Sequence, residues 1–137
     1  MTRQYFDLHT SGIGYLNRLR EVKPTRGKPF LAVDIVALHG SSDEVQRTRF
    51  DCRVSGAEAE RVLRGQLMAA IEAERKVLVG FKIGDLYVDT FVYQQGDRAG
   101  ETGVSLKARL LRLLWAKVDG EIVYRARSAT EASAEAD

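Results

Sequence analysis

The chain has 137 residues, 45% of them apolar, one cysteine and a formal charge of +2. That composition supports one hydrophobic core in one domain and excludes an internal disulfide. It also lacks any run of about 18 apolar residues that would span a membrane as a helix, and one Cys with two His at positions 52, 9 and 39 has no zinc-ligand spacing.

The charge is uneven. Residues 1–125 hold 20 Lys/Arg and 16 Asp/Glu, whereas residues 126–137 hold one Arg and three acids. A body at +4 permits nucleic-acid binding without demanding it. Residues 1–125 are expected to form the domain. Residues 126–137 have no large apolar side chain and are expected to be a disordered acidic tail. Met1-Thr-Arg-Gln-Tyr does not start like a secretory leader, so a cytoplasmic location is expected.

In chain order, Tyr5, Phe6 and Leu8 are apolar residues available to dock the N-terminus on a neighbouring element or a second subunit. The first strand is read from Gly12 to Lys23, with Gly12 and Gly14 where backbones approach closely. Pro24 to Pro29 is a turn carrying Arg26 and Lys28. Phe30–His39 is apolar on nearly both faces, as a central strand is, with Asp34 interrupting one of them. Gln46–Val54 alternates, with Arg47, Arg49, Asp51 and Arg53 on one side and Thr48, Phe50, Cys52 and Val54 on the other. Three arginines on one strand face form a phosphate track, and Cys52 is read as a small buried hydrophobe.

Ser55 and Glu58 have capping-box spacing, and a helix is predicted from there to about Arg75, with Ala59, Val62, Leu63, Leu67, Ala70 and Ile71 on its apolar face. A long hairpin follows. Leu86, Val88, Thr90 and Val92 alternate with Tyr87, Asp89, Phe91 and Tyr93, so the aliphatic face is expected on the core and the aromatic face outside. A loop with three glycines spans residues 94–103. The partner strand then sets Val104, Leu106, Ala108 and Leu110 against Ser105, Lys107 and Arg109. Leu106, Leu110, Leu113 and Leu114 also fit helical spacing, but Asp119-Gly120 between Trp-Ala-Lys-Val and Glu-Ile-Val-Tyr is a two-residue hairpin signal and favours strand.

Three strands, one helix, two long strands and a short last strand give a mainly β fold with one helix. The order matches a five-stranded antiparallel Greek-key barrel of the oligonucleotide-binding (OB) type, here with an extended hairpin between strands 4 and 5. Aromatics beside cations on strands stack bases and neutralise phosphates, although the same pairing also occurs on ordinary sheets and at protein interfaces. Stacking is assigned to Tyr87, Phe91, Tyr93 and Trp115, with Phe30 and Phe50 in reserve, and phosphate contact to Arg47, Arg49, Arg53, Lys82, Lys107, Arg109 and Arg112.

Through Gly-Tyr-Leu-Asn-Arg-Leu at 14–19, Arg-Phe-Asp-Cys-Arg-Val at 49–54 and Lys-Val-Leu-Val-Gly-Phe-Lys-Ile at 76–83, the chain resembles bacterial single-stranded DNA-binding proteins. Over about residues 5–125 it resembles more closely a family of replication proteins carried by integrative and conjugative elements. The shared phrases are Tyr-Phe-Asp-Leu-His-Thr-Ser-Gly-Ile-Gly-Tyr-Leu-Asn-Arg, Phe-Asp-Cys-Arg-Val-Ser-Gly and Gly-Val-Ser-Leu-Lys-Ala-Arg-Leu. The resemblance implies a role in maintaining or transferring such an element, not a chemistry; taken with the strand faces and the OB order, the expected function is sequence-tolerant single-stranded DNA binding in its replication or transfer, by a dimer or tetramer working with other replication or conjugation proteins. The tail departs from that pattern, ending Ala-Glu-Ala-Asp without a closing aromatic. The alternative is an OB-fold protein-protein interaction module. An enzyme is not expected: Asp85 and Asp89 share a strand face but have no further acid or His cluster to hold an ion, and His9 beside Asp7 has no nucleophile. No cofactor is expected.

Overall fold

A computed structural model describes residues 5–127. Apart from Ala126 and Arg127, the acidic tail expected at 126–137 lies outside the described residues. Strands β1 (His9–Val22), β2 (Phe30–His39) and β3 (Gln46–Val54) form an antiparallel meander, followed by a helix over residues 57–72, α1. Strands β4 (Val77–Val92), β5 (Thr102–Val118) and β6 (Glu121–Arg125) complete the sheet. Its order is β3-β2-β1-β4-β5-β6, and an added β3–β5 pairing closes strands 1–5 into a barrel of OB type.

One expectation is corrected by that closure. The barrel is mixed, not purely antiparallel, because Phe50–Val54 of β3 pair in parallel with Leu106–Leu110 of β5. The other four pairings of the ring, β1–β2, β2–β3, β1–β4 and β4–β5, are all antiparallel, so in a ring of five strands the closing pair must run the same way. The last two strands do form the expected hairpin, with Asp119 at φ 49° and Gly120 at φ 88°, as a tight primed turn requires.

The core gathers Val33 and Ile35 of β2, Leu63 and Leu67 of α1, Ile83 of β4 and Leu110 of β5, all fully buried. Each such side chain contributes about 1.5–3 kcal/mol of burial. Cys52 is among them, at 0% exposure. The helix starts at Ala57 without the expected capping box: no side chain caps its first turn, and Glu58 pairs with Arg61 at 2.8 Å. The Ser55 amide is instead taken by the Leu110 carbonyl of β5 at 2.9 Å. A π turn over Leu63–Leu67 interrupts α1, yet Leu63 and Leu67 both stay on the core.

Two extra residues on β5, Leu111 and Leu114, and one on β4 at Asp85–Leu86 break the β4–β5 register. The β5 bulges keep Leu110 and Leu113 both inside although their spacing is odd. The β4 bulge, with Asp85 at φ 53°, marks where the hairpin leaves the barrel as a two-stranded arm. Beyond it the expected packing of the aliphatic face fails: Val88, Val92 and Val104 are 62%, 50% and 64% exposed, because among the described residues no further layer covers them.

Candidate nucleic-acid interface

The outer face of β1, β2, β3 and β5 carries a groove of about 340 Å³, and Tyr87 at the root of the arm forms one of its walls. Asp51 and Lys107 line it and belong to one row of the sheet, in which Asn17, Asp34, Asp51, Lys107 and Tyr87 are successive cross-strand partners. Asp34 and Asp51 thus stand side by side, an arrangement that demands cations between them.

Those cations come from a bulge in β1. Arg18 takes a positive φ of 51°, and the register slips between Asn17 and Arg20. Both Arg18 and Arg20 then reach the buried Asp34, at 2.8 and 3.1 Å. Arg20 also bonds one oxygen of Asp51 at 2.6 Å, and the Lys107 ammonium bonds the other at 2.6 Å. Arg18, Asp34, Arg20, Asp51 and Lys107 therefore form an alternating ladder across four strands. Burial raises the Asp51 carboxyl pKa, but hydrogen bonds from Lys107 and Arg20 outweigh it and leave the group below its ordinary value.

Above the ladder, the Arg53 guanidinium lies 4.1 Å from the centre of the Phe30 ring, a cation–π contact at the edge of the groove. Along the arm, Tyr87 pairs with Lys107, Asp89 with Ser105 and Phe91 with Gly103, so the aromatics and the ladder's last cation share one face. Phe91 meets Tyr93 edge to face at 5.0 Å, and Arg98 caps Tyr93 at 4.5 Å. Gly103 is the seat for this pair: a Cβ there would lie 2.5 Å from the tip of Phe91 and 2.8 Å from Tyr93. Tyr87 and Phe91 keep 58% and 40% of their surface exposed.

The structure therefore brings together Tyr87, Phe91, Tyr93, Arg53 and Lys107, and adds Phe30 from the reserve. Phe50 is buried in the core. Arg47 and Arg49 are exposed further along β3, on the same face as Arg53, and with Lys82 have no acidic partner among the described residues. Other assignments fall elsewhere. Trp115 sits over Gly80, eight residues beyond Lys107 along β5, a strand distance on the order of 20 Å once the two bulged residues are discounted. Lys107 is not a free phosphate contact, since Asp51 holds it. Arg109 pairs with Asp85 at 3.3 Å, and Arg112 donates to the Arg127 carbonyl.

Sequence reasoning missed Arg18 and Arg20. The odd face of Asp34 in a central strand was the available signal for them, because a buried carboxylate needs partners.

A family model described as a protein of unknown function (DUF3577) matches residues 1–132. The crystal structure of the mitochondrial single-stranded DNA-binding protein Rim1 from S. cerevisiae matches with 9% identity and a TM-score of 0.39, covering 89% of this chain and 100% of that one. No curated protein matches.

Proposed function

This chain belongs to the DUF3577 family, and we propose that it is a non-enzymatic, sequence-tolerant single-stranded DNA-binding protein. The strand lies along the outer face of β3 into the groove and out along the aromatic face of the arm. One observation carries the reading: Tyr87, Phe91 and Tyr93 occupy one face in register with the cationic groove, and Tyr87 and Phe91 are exposed while Arg53 lines the groove wall. Exposed aromatics stack any base through its π face, and Arg47 and Arg49, with no acidic partner among the described residues, extend the phosphate track along the same strand. The sequence resemblance supports a role in replication or transfer of an integrative and conjugative element, and a cytoplasmic location is part of the same proposal.

A second reading is favoured by the exposed Val88, Val92 and Val104 on the opposite face of the arm. That face is a contact for a second copy or for another replication or conjugation protein. The two readings use opposite faces, so one oligomer can hold both.

The test is an anisotropy titration of fluorescein-labelled oligo-dT at low and moderate salt, with duplex of equal length as competitor. Salt-sensitive binding that duplex does not displace is expected. Absence of binding at micromolar protein refutes the DNA reading and leaves the interaction module.

A further inference from the structure

The ladder across the groove does more than hold the strands together. Arg20 and Lys107 come from different strands and converge on one group, with one Asp51 oxygen for each, both at 2.6 Å. A backbone phosphate has the same anionic, two-oxygen geometry and would seek the same pair of donors. Asp51 is not sealed off. Its side chain keeps 19% of its surface, and those of Arg20 and Lys107 keep 29% and 30%, on the floor of the groove that Tyr87 and Arg53 wall.

The ladder's charge is mostly spent internally, with three cations facing two carboxylates. The second carboxylate, Asp34, is 1% exposed and lies beneath the guanidinium groups of Arg18 and Arg20. It is a fixed counter-ion. Asp51 is the one carboxylate of the ladder that stands where a ligand arrives.

We propose that Asp51 is a built-in competitor for phosphate, holding Arg20 and Lys107 so that a bound strand forgoes those two cations. The inference rests on the groove being the strand-binding site. It makes Asp51 the residue that limits affinity and the steepness of its salt dependence. Arg47, Arg49 and Arg53, with no acidic partner among the described residues, supply phosphate contact in the unmodified protein.

The test compares wild type, Asp51→Asn, Lys107→Met and the double variant in oligo-dT anisotropy titrations from low to moderate salt, with thermal melts as the check on folding. Asp51→Asn keeps the side-chain volume and removes the charge. It is expected to bind at least about tenfold more tightly at low salt, the effect of one or two additional charge-assisted hydrogen bonds to phosphate. Its log–log salt slope is expected to steepen by about 1.4, roughly 0.7 for each released cation on a single strand. Lys107→Met alone is expected to leave affinity within about twofold and the slope unchanged, but in the Asp51→Asn background it should remove much of the gain.

A folded Asp51→Asn protein that binds no tighter than wild type overturns the inference and makes Asp51 a positioning residue. If Asp51→Asn does not fold, Lys107→Met decides: a slope shallower by about 0.7 means that Lys107 already contacts phosphate, and the inference fails. Wild type and Asp51→Asn both failing to bind refutes the binding reading itself.

Discussion

Removing the two exposed rings of the arm separates binding from folding. In Tyr87→Ala/Phe91→Ala the folded state loses little, because the rings lie outside the barrel core and are 58% and 40% exposed. The larger loss is the Phe91 contact with Tyr93 over Gly103, and together the two truncations are expected to cost roughly 1–2 kcal/mol. If each ring stacks one base, worth about 1–3 kcal/mol, binding weakens by roughly 2–6 kcal/mol, from about 30-fold to more than 10⁴-fold. Oligo-dT anisotropy reads the binding loss, and a thermal melt of the same sample reads stability. Unchanged affinity in a cooperatively melting variant would refute the assignment of this face.

Four further outcomes follow from the same geometry. Arg47→Ala/Arg49→Ala is expected to lower the log–log salt slope for oligo-dT by about 1.4 while leaving the melt nearly unchanged, and an unaltered slope removes this part of β3 from the track. Gly103→Ala puts a Cβ 2.5 Å from Phe91, so oligo-dT binding should fall while the barrel melts near the wild-type temperature; retained affinity would mean that ring placement is immaterial. Burial, together with the charges of Asp51 and Asp34, pushes the Cys52 thiol pKa up to about 12, so a thiol reagent at pH 8 should label it only as the protein opens; rapid stoichiometric labelling of the native state contradicts that. Asp119 is held below its ordinary value first by Arg75 and then by the Lys76 amide, so its stabilisation is complete above about pH 4 and is lost as pH falls through its lower folded pKa. Asp119→Asn should therefore melt lower than wild type at pH 7 and converge with it in acid, and parallel melting curves would contradict the assignment.

Much of the barrel is legible in the sequence because its signals are local. Phe30–His39 is an apolar run and Gln46–Val54 alternates, both bounded by turn residues, and Asp119-Gly120 leaves little alternative to a hairpin. The parallel β3–β5 pair is not legible, since nothing within either strand records which distant edge it meets. The Leu110–Leu114 stretch shows a different limit. Bulges at Leu111 and Leu114 produce a three-residue spacing of core leucines that imitates a helix.

At the site, parity correctly groups Tyr87, Phe91 and Tyr93 with Lys107, because cross-strand register preserves it out to the end of the arm. Parity gives no depth, so the aliphatic side of the arm reads as core although the barrel ends at Asp85. The ladder is invisible for a further reason. It depends on Arg18 adopting φ 51°, a conformation that a non-glycine residue does not advertise, and only then do Arg18 and Arg20 both face Asp34.

The most direct measurement is photocrosslinking of the full chain to oligo-dT containing 5-iododeoxyuridine, with the modified residues mapped by mass spectrometry. Crosslinks at Tyr87, Phe91 or Phe30 are expected, on the groove and the aromatic face of the arm. Crosslinks confined to Trp115, on the barrel wall above Gly80, would contradict the account and move the strand to a different face.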